Sequence, residues 1–68
     1  MIQSGGNTLK DATLKILGLT KQQGKYAIEA LKDDCGLRND AHFKIWENGD
    51  VLNPDTGAVL GNLYDFVQ

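Results

Sequence analysis

The stretch DAHFKIWENGDV, residues 40 to 51, decides how the chain is read, because the hydrophobic period changes there. Before it, apolar residues recur at helical spacing; from Asp40 they alternate. A period of two puts Ala41, Phe43 and Ile45 on one side and Asp40, His42, Lys44 and Trp46 on the other. Such alternation marks a strand with one buried face. Asn48-Gly49 follows, and this pair is the strongest short hairpin signal, since a type I′ turn needs positive φ twice. DVLN then returns as a second strand. NPDTG (53 to 57) is a second turn, with Pro54 presetting φ and Gly57 supplying freedom. AVLGNLYDFV (58 to 67) gives a third strand, with a bulge or break expected at Gly61-Asn62.

Working back toward the start, two helices are expected. From Asn7 a helical period places Leu9, Ala12, Ile16 and Leu17 on one face. Gly18 sits where a left-handed C′ residue belongs, and Leu19 supplies the apolar contact that follows. Thr20 and Gln23 have the spacing of a capping box, opening a second helix. Its buried stripe is Ala27, Ala30, Leu31 and Cys35, and Cys35-Gly36-Leu37 closes it as Leu17-Gly18-Leu19 closes the first. Gly24 in the first turn is a weak helix former. The order α-α-β-β-β predicts an α+β fold, with both helices on one face of a three-stranded antiparallel sheet. Residues 1–6, MIQSGG, read as a flexible start, and 7–68 as a single α+β domain.

Size and charge narrow the function. Sixty-eight residues lie near the lower limit for an unaided hydrophobic core. A ligand site is therefore expected in a surface groove or on a sheet face. The chain is 41% hydrophobic and 24% charged, which is ordinary for a globular protein and too apolar for a disordered one. The single cysteine, Cys35, excludes an internal disulfide, and with one histidine it excludes a tetrahedral zinc site. No motif calls for a cofactor: neither a P-loop nor a dinucleotide-binding glycine loop is present. No run reaches the roughly 18 to 20 apolar residues of a membrane span, and no signal peptide is expected. The formal net charge is −2. Nucleic-acid binders usually carry a basic surplus, so RNA binding would need a local cluster of Lys and Arg.

Phe43 and Ile45 must be buried in so small a core, which puts Asp40, His42, Lys44 and Trp46 on the open face. Same-face neighbours on a strand lie about 6.5 to 7 Å apart. Asp40 could orient His42 for proton transfer, with Lys44 supplying positive charge to a pentavalent phosphorus and Trp46 stacking on an unpaired base. Arg38, next to Asn39, is the only arginine and a candidate bidentate phosphate ligand. Lys25 and Lys32, seven apart, share a helix face and could extend the patch. The plainer reading is that an antiparallel sheet commonly has one polar side. Lys10, Lys15, Lys21, Lys25 and Lys32 are likewise balanced by Asp11, Glu29, Asp33 and Asp34 as solvated faces. Cys35 with His42 is the only conceivable nucleophile–base pair, but Cys35 falls on the buried stripe and reads as core. DTG at 55 to 57 reads as turn chemistry and not as a protease motif or calcium loop.

The run HFKIWENGDVLNPDTGAVLGNLYDF, with its strand, NGDV, TG and LGN after a helical lead, resembles the ends of small toxin domains. These are the C-terminal domains of bacterial contact-dependent growth inhibition and related polymorphic toxin proteins. The resemblance spans about residues 37 to 67. Many such toxins are small RNases, several related in fold to barnase, RelE and the colicin nucleases, with helices on one sheet face and the active site on the other. It implies a metal-independent ribonuclease acting on tRNA or another structured RNA in the bacterial cytoplasm, delivered as the C-terminal part of a larger secreted protein. His42, Lys44 and Arg38 match such chemistry, and a cognate immunity protein is the implied partner. A non-catalytic protein-binding module, using the open sheet face or the sheet edge, is the alternative.

Overall fold

The computed structural model describes residues 1–67; residue 68, the expected domain end, lies outside the described residues. Its elements are α1 (Asp11–Leu17), α2 (Lys21–Asp34), β1 (Lys44–Ile45), β2 (Asp50–Leu52), β3 (Val59–Asn62) and a closing 3-10 turn, Leu63–Asp65. The strands form one antiparallel sheet in the order β1-β2-β3. This is the expected α+β arrangement, two helices and then a meander. The core joins Leu17, Ala27, Ile28 and Leu31 of the helices to Phe43, Ile45, Val51 and Leu63. Phe43 and Ile45 are inside, as their alternation requires.

The helix ends follow the chemistry of their residues. Thr20 Oγ1 accepts the Gln23 N–H at 3.1 Å while Gln23 Oε1 accepts the Thr20 N–H at 3.0 Å, a complete capping box. Gly18 and Gly36 both have positive φ, 73° and 69°. Leu19 N–H donates to the Leu14 carbonyl and Leu37 N–H to the Lys32 carbonyl, so both helices end in Schellman motifs.

The start of the chain departs from expectation. Residues 1–6 were to be a flexible lead, but Gln3 pairs antiparallel with Ile45 along β1. Gln3 is buried; its Nε2 donates to the Thr8 carbonyl and its Oε1 accepts the Lys10 N–H. These bonds hold Thr8 and Lys10 ahead of the first turn. α1 therefore begins at Asp11 and not at Asn7, and its buried face is Thr13, Leu14 and Leu17. Ile16, placed on that face by spacing, is 59% exposed, and Ala12 is exposed too. Gly24 shows what sets the phase. A Cβ there would overlap the Leu14 side chain and come within 2.9 Å of Leu9, so the missing side chain lets α1 and its lead close onto α2.

The hairpin exists but its turn differs. Among Asn48 and Gly49 only Gly49 has positive φ, 90°, so type I′ is excluded. Gly49 N–H donates to the Trp46 carbonyl, and Trp46 N–H to the Asp50 carbonyl. This is the three-residue loop with a glycine bulge. Asn48 Oδ1 accepts the Asp50 N–H, and Asn48 lies outside the left-handed region. β1 is also shorter than AHFKIWE suggests: it pairs with β2 at Lys44 and Ile45, and two residues outward the register brings His42 opposite Pro54, which has no N–H to donate. The bulge expected near Gly61 lies one residue earlier: Val51 pairs with Gly61 and Leu52 with Val59, leaving Leu60 over. β3 stops at Asn62, whose side chain accepts the Tyr64 N–H and opens the 3-10 turn.

Candidate functional site

His42 precedes the buried Phe43, so the anchoring of that ring leaves the imidazole exposed. The segment carrying it is tied down on both sides. Ala41 N–H donates to the Arg38 carbonyl at 3.0 Å, and the Lys32 ammonium donates to the carbonyls of Asn39 at 2.8 Å and Asn7 at 2.9 Å. Lys32 is not the solvated residue that its spacing from Lys25 suggests. It is 5% exposed, its Nζ lies 5.2 Å from the Phe43 ring centroid, and burial lowers its pKa against the attraction of Asp40 and Glu29.

The cleft beside His42 has a volume of about 460 Å³. It is lined by Asp40, Ala41 and His42, by the turn Asn53-Pro54-Asp55, and by Leu37 and Leu60. Asn53 holds that turn, its Oδ1 accepting the Asp55 N–H and its carbonyl the Gly57 N–H. Leu60 is fixed by its carbonyl, which accepts the Cys35 thiol at 3.3 Å. Cys35 is half-buried and packs on the core.

Asp40 pairs with Arg38 at 3.6 Å, and not with His42. Both side chains are well exposed, so the pair contributes little to stability; Asp40 lines the cleft and Arg38 does not. Among the described residues His42 has no hydrogen-bond or ionic partner. None of their His, Cys, Asp and Glu side chains group in threes suited to a metal ion.

The six residues singled out by sequence thus separate into three places. Asp40 and His42 share the cleft, with Arg38 next to Asp40. Lys44 and Trp46 lie on the outer sheet face; Lys44 stands in register with Leu52, and Leu52 with Val59. Lys25 lines a second cleft against α2. Sequence reasoning missed Asn53 and Asp55, having absorbed them into a turn. The signal was hairpin arithmetic: continuing the Lys44–Leu52 register two residues outward brings His42 opposite Pro54.

No family model, curated protein or solved structure matches this chain.

Proposed function

We propose that the chain is a small metal-independent ribonuclease domain working in the His42 cleft. The observation that carries this reading is an exposed imidazole, unpartnered among the described residues, sharing one cleft with two carboxylates, Asp40 and Asp55. RNA cleavage by transesterification needs those groups. A carboxylate takes the 2′-hydroxyl proton, the 2′-oxygen bonds to the adjacent phosphorus, and an imidazolium protonates the departing 5′-oxygen. The products are a 2′,3′-cyclic phosphate and a 5′-hydroxyl. Imidazole is the side chain able to hold or release that proton near neutrality, and the Arg38 guanidinium suits the phosphate. His42 is assigned as acid and Asp55 or Asp40 as base. The resemblance of residues 37 to 67 to toxin domains supports tRNA or another structured RNA as substrate and an immunity protein as partner. It equally supports action in the bacterial cytoplasm, reached as part of a larger secreted protein.

The test is incubation with total RNA and tRNA, with and without a chelator, and analysis of the new ends. Cyclic phosphate ends that persist in chelator and vanish in His42→Ala are expected. A folded His42→Ala that cleaves at the wild-type rate sinks the assignment. Asp55→Asn and Asp40→Asn, compared in the same assay, identify the base.

A second reading has its own observation. Trp46 and Val59, on the face away from the core, are 43% and 62% exposed. With Lys44 and Leu52 they form a surface suited to a protein, and a wild type without cleavage that binds a protein across Trp46 is a binding module.

A further inference from the structure

The second cleft, about 350 Å³, lies between the lead into α1 and the outer side of α2. Its apolar lining is Leu9, Leu14 and Ile28, and three lysines stand around it: Lys21, Lys25 and the buried Lys32. Glu29 is the single carboxylate in the lining. Lys21 and Lys25 are four residues apart and Lys32 eleven from Lys21, so all three share one face of α2. Glu29 follows Lys25 by four, yet the two form no ion pair, and among the described residues neither Lys21 nor Lys25 has a partner. Two N–H groups of Lys32 are donated to carbonyls; an ammonium has a third. In a chain with a net charge of −2, this is a local surplus of positive charge over an apolar floor.

Asn39 lines this cleft and Asp40 lines the His42 cleft, so the two clefts meet the same loop at consecutive residues. We infer that the lysine-lined cleft is a subsite for one nucleotide of single-stranded RNA, next to the nucleotide whose phosphate lies at His42. The base would rest on Leu9, Leu14 and Ile28, and the flanking phosphates on Lys21 and Lys25, about 6 Å apart along the helix axis. The volume is at the lower end for small-ligand sites, which fits one unpaired nucleotide and excludes a duplex. The identity of the ligand rests on the ribonuclease reading; the charge and shape of the cleft do not.

Binding is measured apart from cleavage with a short single-stranded 2′-deoxy oligonucleotide, which lacks the attacking hydroxyl. Fluorescence anisotropy over a salt series compares wild type with Lys21→Ala/Lys25→Ala, both exposed positions. The double variant is expected to bind roughly tenfold more weakly, and its log–log salt slope to fall by about 1.4, each lysine accounting for roughly 0.7 on a single strand. An abasic strand of the same length should bind wild type several-fold more weakly. Unchanged affinity and slope in the double variant, equal binding of the abasic strand, or no binding by wild type each overturns the subsite. Wild-type binding with the expected losses but no RNA cleavage upholds the subsite and removes the ribonuclease. Cleavage with unaltered binding in the double variant does the reverse.

Discussion

At Lys32 an ammonium lies under the loop that carries His42, bonded to two backbone carbonyls and facing an aromatic ring. Burial disfavours its charged form, so its folded pKa falls below the unfolded value, with Asp40 and Glu29 opposing. The sign of the linkage follows. Below the lowered pKa both states hold the proton and the desolvation cost is fully present. As pH rises from there to the ordinary lysine range, the folded state releases its proton first and the cost is relieved. A neutral amine still has two N–H groups, enough for Asn7 and Asn39. Lys32→Met cannot donate to either carbonyl and should be less stable by about 2 kcal/mol at neutral pH. The gap between wild type and Lys32→Met, from urea unfolding, should widen with pH across that alkaline window. A gap that narrows there contradicts the role given to burial.

The pairing of α1 with α2 turns on Gly24. In an isolated helix alanine is favoured over glycine by about 1 kcal/mol, so propensity alone makes Gly24→Ala stabilising. Overpacking costs about 1 to 3 kcal/mol, and here the added methyl meets Leu14 and Leu9. Overpacking should win, leaving Gly24→Ala destabilised by about 1 kcal/mol. Leu14→Ala made in the Gly24→Ala background should then cost clearly less than in wild type, a coupling that a double-mutant cycle measures. Equal costs in the two backgrounds would refute the contact. The elements most legible in the sequence are those set by neighbours within a few residues: the capping box at Thr20, the Gly18 and Gly36 ends, the period of two at Phe43 and Ile45. The phase of α1 was hidden because Gln3 and Gly24, residues outside it, decide where it begins and which side it buries. The candidate site divides in the same way. His42 could be read as facing away from the core, whereas Asp55 joins it only through the register of β1 with β2.

Across the whole molecule stability and chemistry should separate between adjacent residues. A folded chain of 68 residues commands only about 3 to 10 kcal/mol of stability. Phe43, 1% exposed, is part of the core that joins both helices to the sheet. Phe43→Ala should cost about 3 to 5 kcal/mol, much of what is available. His42→Ala, one residue away and exposed, should stay within about 0.5 kcal/mol of wild type and still lose RNA cleavage. Denaturant unfolding alongside the cleavage assay tests both. A His42→Ala that unfolds like Phe43→Ala makes His42 a structural residue. The N-terminal segment belongs to the same accounting, since Gln3 and Gly6 bond to Ile45 and Phe43 beside that core.

Tyr64 ties the ends of this architecture together. Its hydroxyl donates to the Leu17 carbonyl at 2.8 Å, across 47 residues of chain. Its ring lies so close over Gly49 that a Cβ there would be 2.8 Å from it. A contact closing so long a loop forms late, after the entropy of bringing distant segments together has been met. Thr20 and Gln23, three residues apart, can form their bonds early. In stopped-flow measurements Thr20→Ala should mainly slow refolding, and Tyr64→Phe should mainly hasten unfolding. The tyrosine would then set the lifetime of the folded state, and with it how long the chain withstands a protease that acts faster than the fold recloses.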